Sequence, residues 1–416
     1  MIKDILNQRI THDRDKSFVT YEEQKISYLR LHYMVNGLCS TLNTKTNQYV
    51  GLQINNKLKL LIAIIALNRR KSIPVIYPDH PNLDEYIKTT KAPVMIKNFE
   101  INEEHKDINT DYIYNEDDTQ MVMFTSGSSG LPKPCELTYK NFYESSKMWN
   151  KIIAFKSSDV YLNHMPLTHV SGMCIVFRGL YYNFEVILDN FSIKNYMKYH
   201  QKINLSSMVP AMLNKILKKS EKKINFTNMK SIIVGGNNMD NDLLKKMKAQ
   251  KIPAYISYGL TESCSGIAGS WIDEYCENRA YNVHPQVKIK LLDRVLIISS
   301  PTIIKKYLNS IKLFDGQFTT ADSVKVIDKN KFQFKGRIDS VIVSGGENIA
   351  IRYVEKAFMQ FTKISFCSVQ IIKDKRWGQV MHATVELNKP LDLAELKEQL
   401  KNYLPSHMIP KKISLK

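Results

Sequence analysis

Short runs rich in β-branched residues alternate with amphipathic stretches along the chain, from about Tyr49 to Ile298. We interpret the pairs as a strand followed by a helix: 48–54 and 57–68 with a further strand at 74–77, then 186–188 and 193–201, and 231–234 and 241–250. This alternation is typical of α/β layers with parallel strands, because each helix returns the chain to the same edge of the sheet. The predicted fold class is α/β, with layered sheets and helices.

The pattern changes near Gly336. Residues 330–339 indicate a strand that enters a sharp polar joint, and shorter elements follow, with helices at 353–360 and 394–403 and extended segments at 368–372 and 382–386. A chain of 416 residues is also too long for one ordinary core. We therefore predict a large N-terminal domain (1–336) and a small, mobile α+β C-terminal domain (337–416) that is incomplete at its end.

The chain is basic, with 59 Lys and Arg against 40 Asp and Glu and a net charge of +19. This excess suits anionic partners such as nucleotides or coenzyme A, although scattered lysines equally fit compositional drift. No arginine-rich cluster is interleaved with aromatic residues, so nucleic-acid binding is not favoured.

The cysteines and the apolar runs exclude further classes. The six cysteines are widely spaced and none forms a C-x-x-C pair, which argues against zinc and redox sites. The longest apolar run, 60–67, is far shorter than the ~20 residues of a membrane span. Residues 1–14 lack the apolar core of a signal peptide, so we expect a cytoplasmic protein.

The strongest local signal is Met-Phe-Thr-Ser-Gly-Ser-Ser-Gly-Leu-Pro-Lys at 123–133. Glycines let backbone N–H groups turn inward, and the hydroxyl groups add donors, so such a loop suits a polyphosphate. Lys133 adds a point charge. The spacing is not that of a Walker loop. The candidate phosphate-binding residues are Thr125, Ser126, Gly127, Ser128, Ser129, Gly130 and Lys133.

This loop resembles the T-S-G-[ST]-[ST]-G-x-P-K signature of the adenylate-forming superfamily, which includes acyl- and aryl-CoA synthetases, luciferases and peptide-synthetase adenylation domains. Pro134 stands where the family usually has glycine. Residues 258–262, Tyr-Gly-Leu-Thr-Glu, are similar to the family's Y-G-x-T-E element. The resemblance implies adenine stacking at Tyr258, a nucleotide contact at Gly259, an α-phosphate contact at Thr261 and a magnesium ligand at Glu262. Lys133, Thr261 and Glu262 would be catalytic.

Three later elements follow in the family's order. Asp322 lies in a segment similar to T-G-D, with Ala321 replacing the glycine, and would bind the ribose. Residues 336–339 match G-R-x-D, which implies a ribose contact at Arg337 and a hinge at Asp339. The loop Ser344, Gly345, Gly346, Glu347 and Asn348 resembles the one that serves thioester formation.

Residues 165–178 are similar to a stretch of the o-succinylbenzoate–CoA ligase branch, which serves menaquinone biosynthesis. This likeness implies an acid pocket with His169, which would also be catalytic, Ser171, Gly172 and Arg178, the last able to pair with a second carboxylate. A buried structural histidine and a salt-bridged arginine are the alternatives. The acid pocket would also include Gly235, Gly236 and Asn237, where Asn237 replaces the family's alanine.

These elements predict an ATP-dependent carboxylic acid–CoA ligase that forms an acyl-AMP, with ATP, Mg²⁺ and coenzyme A. A different aryl or fatty acid, a carrier-protein acceptor and a homodimer stay open. The family carries a catalytic lysine in a late G-K element after a stretch similar to 404–413, and no such element occurs before Lys416. A catalytically impaired nucleotide- or acyl-adenylate-binding protein is therefore the alternative function.

Overall fold

The architecture was determined from a computed structural model. It describes residues 1–79, 83–92, 94–106, 112–126, 132–219, 224–236, 239, 241–292, 295–338, 341–344, 347–374 and 377–415.

The strands are β1 (Ile2–Lys3), β2 (Ser17–Tyr21), β3 (Gln24–Ser27), β4 (Tyr49–Leu52), β5 (Ile73–Ile76), β6 (Val94–Ile96), β7 (Ile113–Tyr114), β8 (Thr119–Ser126), β9 (Pro132–Thr138), β10 (Val160–Asn163), β11 (Glu185–Leu188), β12 (Leu205–Met208), β13 (Ser231–Val234), β14 (Ala254–Leu260), β15 (Ser265–Trp271), β16 (Ala280–Val283), β17 (Lys288–Leu292), β18 (Val295–Ser299), β19 (Lys306–Tyr307), β20 (Gln317–Asp328), β21 (Lys331–Arg337), β22 (Val341–Ser344), β23 (Glu347–Ala350), β24 (Ile364–Asp374), β25 (Gly378–Leu387) and β26 (Lys412–Leu415).

The helices are α1 (Ile5–Asp13), α2 (Tyr28–Thr41), α3 (Lys57–Arg69), α4 (Leu83–Thr90), α5 (Tyr139–Ile153), α6 (Val170–Tyr182), α7 (Ile193–Tyr199), α8 (Pro210–Lys219), α9 (Asn241–Ala249), α10 (Ile272–Asn278), α11 (Ile351–Phe358) and α12 (Leu393–Gln399). Short 3-10 turns cover Thr261–Ser263, Leu400–Asn402 and Ser406–Met408.

The larger sheet has the strand order β17-β18-β20-β21-β16-β15-β14-β13-β12-β10-β11-β2-β3 within the described residues. Its segment from β14 to β2 is parallel, as the alternation of strands and helices predicts. From β14 to β17 every pairing is antiparallel, which the sequence analysis did not predict. The α/β prediction is confirmed, and an antiparallel extension is added to it.

The second sheet has the order β19-β9-β8-β5-β4-β6. Its central helix, α3, is apolar almost all round and is buried along its length, as expected for a helix between two layers. The Asn56 side chain caps it by accepting a hydrogen bond from the Lys59 amide at 2.9 Å. This packing holds β8, the strand before the glycine-rich loop, in the interior of the protein.

A separate hydrophobic cluster draws only on residues between Ile349 and Ile413 and lies around the small sheet β24-β25-β26. Its helices and strands agree with the predicted segments within a few residues, except that 400–402 continues α12 as a 3-10 turn. The division of the chain at 336/337 into two domains stays a prediction. In the described part of the chain, no helix is both long and apolar enough to cross a membrane.

Candidate active site

The glycine-rich loop is flanked by an antiparallel hairpin of β8 and β9. In its register Thr125 lies opposite Lys133, and Ser126 lies opposite Pro132. A hydroxyl-bearing residue and a lysine are therefore paired where this hairpin meets the glycine-rich loop. The predicted loop residues Gly127, Ser128, Ser129 and Gly130 lie outside the described residues.

The second motif begins at the end of β14. The chain leaves this strand at Leu260 and enters the 3-10 turn Thr261–Ser263, which lies against β8. A Cβ atom on Gly259 would lie 2.2 Å from the carbonyl oxygen of Ser265, so this position requires glycine. Thr261 is half-buried and Glu262 is 7% exposed. The fold thus brings Glu262 to the strand that leads into the glycine-rich loop.

Tyr307 connects these two motifs, and the sequence analysis did not single it out. Its hydroxyl donates a hydrogen bond to Oε1 of Glu262 at 2.7 Å, and Nζ of Lys133 lies 5.6 Å from the centroid of its ring. Burial raises the pKa of the Glu262 carboxyl above its ordinary value, and the Tyr307 hydrogen bond partly offsets this. Burial and the Glu262 charge raise the pKa of Tyr307 far above its ordinary value, so its hydroxyl stays a donor.

Three predicted nucleotide contacts converge beside this turn. The Tyr258 hydroxyl donates to Oδ2 of Asp322, and Nη1 of Arg337 donates to Oδ1 of the same carboxylate at 3.2 Å. Asp322 and Arg337 are direct partners in the register of β20 and β21. Asp322 thus joins two residues that resemblance assigns to the adenine and the ribose. Their roles in binding stay predictions.

The predicted acid pocket begins at α6. His169 is its N-terminal cap residue, and its carbonyl oxygen accepts hydrogen bonds from the amides of Gly172 and Met173 at 3.1 and 3.0 Å. A Cβ atom on Gly172 would lie 2.2 Å from the Pro166 carbonyl oxygen, so the helix can start this close to the preceding loop only with glycine there. His169 and Ser171 are half-buried at this end of the helix.

Arg178 lies further along α6 and is 2% exposed. Its guanidinium carbon lies 4.7 Å from the centroid of the Trp149 ring, and Nη2 donates to Oγ of Ser265 at 2.8 Å. Its Nε has no hydrogen-bond partner among the residues that the structure describes. Burial lowers the pKa of this guanidinium below its ordinary value. No carboxylate among the described residues forms an ion pair with it, so the alternative of a salt-bridged arginine does not hold for them.

A buried cation without an anion costs free energy unless another group supplies the charge. Arg178 therefore has the character of an anion-binding residue, and Trp149 and Ser265 hold it in place. The sequence analysis missed both partners, because neither lies in one of the quoted motifs. The Cys174 and Cys264 thiols lie 3.8 Å apart beside the same helix.

The remaining predicted positions are partly described. Gly235 and Gly236 follow β13; a Cβ atom on Gly235 would lie 3.2 Å from the Ser257 carbonyl oxygen, and Gly236 has φ of +82°. Asn237 and the predicted hinge residue Asp339 lie outside the described residues. Of the thioester-step loop, Ser344 ends β22, Glu347 and Asn348 begin β23, and Gly345 and Gly346 are not described.

The donor set at Glu262 fits a magnesium ion. The carboxylate is buried and is not ion-paired with a lysine or arginine in the described part of the chain, and only Oε1 accepts the Tyr307 hydrogen bond. Mg²⁺ is commonly held by one or two carboxylates together with substrate phosphates. No group of three or more His, Cys, Asp or Glu side chains forms a metal site among the described residues. Glu262 would thus act with a bound nucleotide.

Taken together, the fold and the site combine a hairpin that flanks the glycine-rich loop, a buried carboxylate and a polar cluster at the end of a central strand. A family model described as "AMP-binding enzyme" matches residues 80–308, more than half of the chain. The protein belongs to the AMP-binding enzyme family.

Comparisons with known proteins agree with this assignment. The chain is 25% identical to a 2-succinylbenzoate–CoA ligase from Bacillus licheniformis, over 98% of this chain and 94% of that protein. A ligase of the same name from Staphylococcus epidermidis is 24% identical, over 98% of this chain and 92% of that protein.

Two solved structures of o-succinylbenzoate CoA synthetase from Bacillus subtilis share the fold, each at 22% identity and over the whole of this chain. The complex of a double mutant with a product analogue superposes on this chain with a TM-score of 0.89, and the match covers 95% of the mutant chain. The complex with the acyl-adenylate intermediate superposes with a TM-score of 0.75, and the match covers 94% of that chain.

Proposed function

We propose that the protein is an ATP-dependent o-succinylbenzoate–CoA ligase. In the first step a carboxylate oxygen of the acid attacks the α-phosphorus of ATP, and the bond to pyrophosphate breaks to leave an acyl-AMP. In the second step the thiolate of coenzyme A attacks the acyl carbon and AMP departs. The main support is the convergence of Lys133, Glu262 and the Asp322 cluster at the end of β14.

Each group of residues has a chemical task in this proposal. Lys133 and the hairpin hold the phosphates, and Asp322 with Arg337 binds the ribose hydroxyls. Mg²⁺ at Glu262 would neutralise phosphate charge. Fixed positive charge beside the transferred group stabilises the transition state more than the ground state, which is where most of the rate enhancement would arise.

Arg178 supports the choice of acid. o-Succinylbenzoate carries a second carboxylate, and a buried guanidinium with an unused Nε can accept one. The names of the relatives agree with this choice. A monocarboxylic acid would leave the cation without a counter-charge, so we expect such acids to be poorer substrates.

We also propose that residues 337–416 form a mobile unit and that its orientation here suits the thioester step. Two observations support this: the hairpin of β22 and β23 lies against β8, and the chain superposes better on the product-analogue complex than on the acyl-adenylate complex. Coenzyme A is the proposed acceptor. Replacing coenzyme A by a phosphopantetheinylated carrier protein in an assay of thioester formation would reveal the other acceptor. Analytical sedimentation would reveal a homodimer.

The function is tested by pyrophosphate exchange into ATP over a panel of o-succinylbenzoate, benzoate and a fatty acid. We expect exchange with o-succinylbenzoate to exceed that with the monocarboxylic acids by at least about tenfold, the scale of one charged hydrogen bond. Exchange that is fastest with a fatty acid would reassign the substrate. Nucleotide binding without exchange for any acid would favour the non-catalytic binding protein.

Replacing Glu262 by glutamine should raise the Mg²⁺ concentration needed for half-maximal exchange, because a neutral amide is a weaker ligand for Mg²⁺. The change should be at least about tenfold, with little loss of thermal stability, since burial already disfavours the carboxylate charge. Glu136 is the control, because it is also buried and accepts a hydrogen bond from a tyrosine, Tyr49, at 3.0 Å, whereas its charge is paired with Lys306 at 3.7 Å. An equal magnesium shift in Glu136→Gln would contradict a specific role for Glu262.

A further inference from the structure

The segment 304–308 ties the two halves of the nucleotide site together. β19 pairs with β9, with Tyr307 opposite Cys135 in the register. At one end of the segment the Ile304 amide donates to the Glu262 carbonyl oxygen at 3.0 Å. At the other end the Leu308 amide donates to the Pro134 carbonyl oxygen at 2.8 Å. The backbone on either side of Tyr307 is therefore bonded both to the magnesium-site turn and to the strand that carries Lys133.

The Tyr307 side chain contacts both charged groups of the site. Its hydroxyl binds the Glu262 carboxylate at 2.7 Å, and its ring faces Nζ of Lys133 at 5.6 Å from the centroid. Phe314 packs edge-on against the same ring, with 5.4 Å between centroids, and restricts its rotation. Lys133 and Glu262 are both described, and they do not form an ion pair with each other.

A binding site that contains both a lysine and a carboxylate loses affinity for its ligand if the two side chains pair with each other. The two side chains attract each other, and a direct ion pair between them would compete with binding of the nucleotide phosphates and the cation. A tyrosine can prevent this, because its ring engages the lysine ammonium while its hydroxyl holds the carboxylate in one orientation. The second carboxylate oxygen, Oε2, accepts no hydrogen bond from Tyr307 and can bind a ligand.

We propose that Tyr307 is a positioning residue of the Mg·ATP site, which keeps Lys133 and Glu262 apart and orients the Glu262 carboxylate. The inference rests on the proposed nucleotide-dependent function and deepens it, because it assigns a role to a residue outside the motifs. Tyr307 acts through Glu262 and Lys133 and does not itself react.

The test separates the hydroxyl from the ring. Tyr307→Phe removes the hydroxyl and keeps the ring, whereas Tyr307→Leu removes both. Calorimetry of Mg·ATP binding without any acid should show Kd raised about tenfold in Tyr307→Phe, a typical loss for one hydrogen bond to a charged group. The rise in Tyr307→Leu should be larger, because Lys133 can then approach Glu262. The Mg²⁺ concentration for half-maximal exchange should rise in parallel.

Tyr49→Phe is the matched control, because the Tyr49 hydroxyl also donates to a buried carboxylate, Oε1 of Glu136 at 3.0 Å, and neither residue is a predicted nucleotide contact. It should leave Mg·ATP affinity unchanged, and melting curves should show comparable small losses of stability in both Phe variants. Unchanged Mg·ATP affinity in Tyr307→Phe would overturn the proposal, as would an equal loss in Tyr49→Phe.

The binding measurement distinguishes this proposal from the proposed function. If the wild-type protein binds Mg·ATP and Tyr307→Phe weakens that binding, yet no acid supports pyrophosphate exchange, the ligase function fails and the role of Tyr307 stands. If exchange proceeds normally and Tyr307→Phe has no effect on binding or magnesium requirement, the role of Tyr307 fails alone. A wild-type protein that does not bind Mg·ATP overturns both.

Discussion

Arg178→Leu should lower kcat/KM for o-succinylbenzoate by a factor equivalent to about 2–3 kcal/mol of transition-state stabilisation. The value for benzoate or fatty acids should change little. The physical reason is that Arg178 is buried, holds no carboxylate of the described chain and keeps Nε unused. Removing the cation would leave the second carboxylate of the substrate desolvated and unpaired. The measurement is pyrophosphate exchange as a function of acid concentration for each acid.

Stability should distinguish recognition from folding in this variant. Replacing a buried, unpaired cation by an apolar side chain is often neutral or stabilising, so Arg178→Leu should not melt early. Arg69→Leu is the contrasting control, because Arg69 is also buried but is ion-paired with Asp4 at 3.1 Å. That change should destabilise the fold by about 3–5 kcal/mol and lower the activity for every acid alike. An equal loss of activity for every acid in Arg178→Leu would show that Arg178 stabilises the core and does not recognise the acid.

Lys133→Ala should lower kcat/KM for ATP by a factor equivalent to about 2–3 kcal/mol of transition-state stabilisation, which is the scale of one charged donor. Lys133 is held opposite Thr125 at the end of the hairpin and against the Tyr307 ring, so its charge is already in position before the nucleotide binds. A preorganised charge is effective because no reorganisation is needed during the reaction. Single-turnover formation of the acyl-adenylate is the appropriate measurement.

Lys140→Ala controls for a general loss of positive charge. Lys140 follows the same strand and forms an exposed ion pair with Glu116 at 3.2 Å. Surface pairs of this kind contribute about 0–1 kcal/mol, so this variant should keep wild-type turnover. Equal rates in Lys133→Ala and the wild type would remove the glycine-rich loop from the nucleotide site.

The family and the order of its motifs were predictable from the sequence, because each motif is a short contiguous pattern. Tyr258, Glu262 and Lys133 were recognised in this way, and so were some strands and helices of the parallel part of the fold, namely β4, β5, β11, β13, α3, α7 and α9. The periodicity that reveals such elements is local, since it depends on side chains a few residues apart.

Only the tertiary structure decided which residues complete the site. Tyr307 and Glu262 are 45 residues apart, and Arg178 and Ser265 are 87 apart. No local pattern connects such pairs, because their contact depends on strand pairings made elsewhere, β19 with β9 and β14 with β15. The antiparallel extension of the large sheet was missed for the same reason. A sequence displays its motifs directly, whereas the partners that hold those motifs in place are chosen by long-range packing.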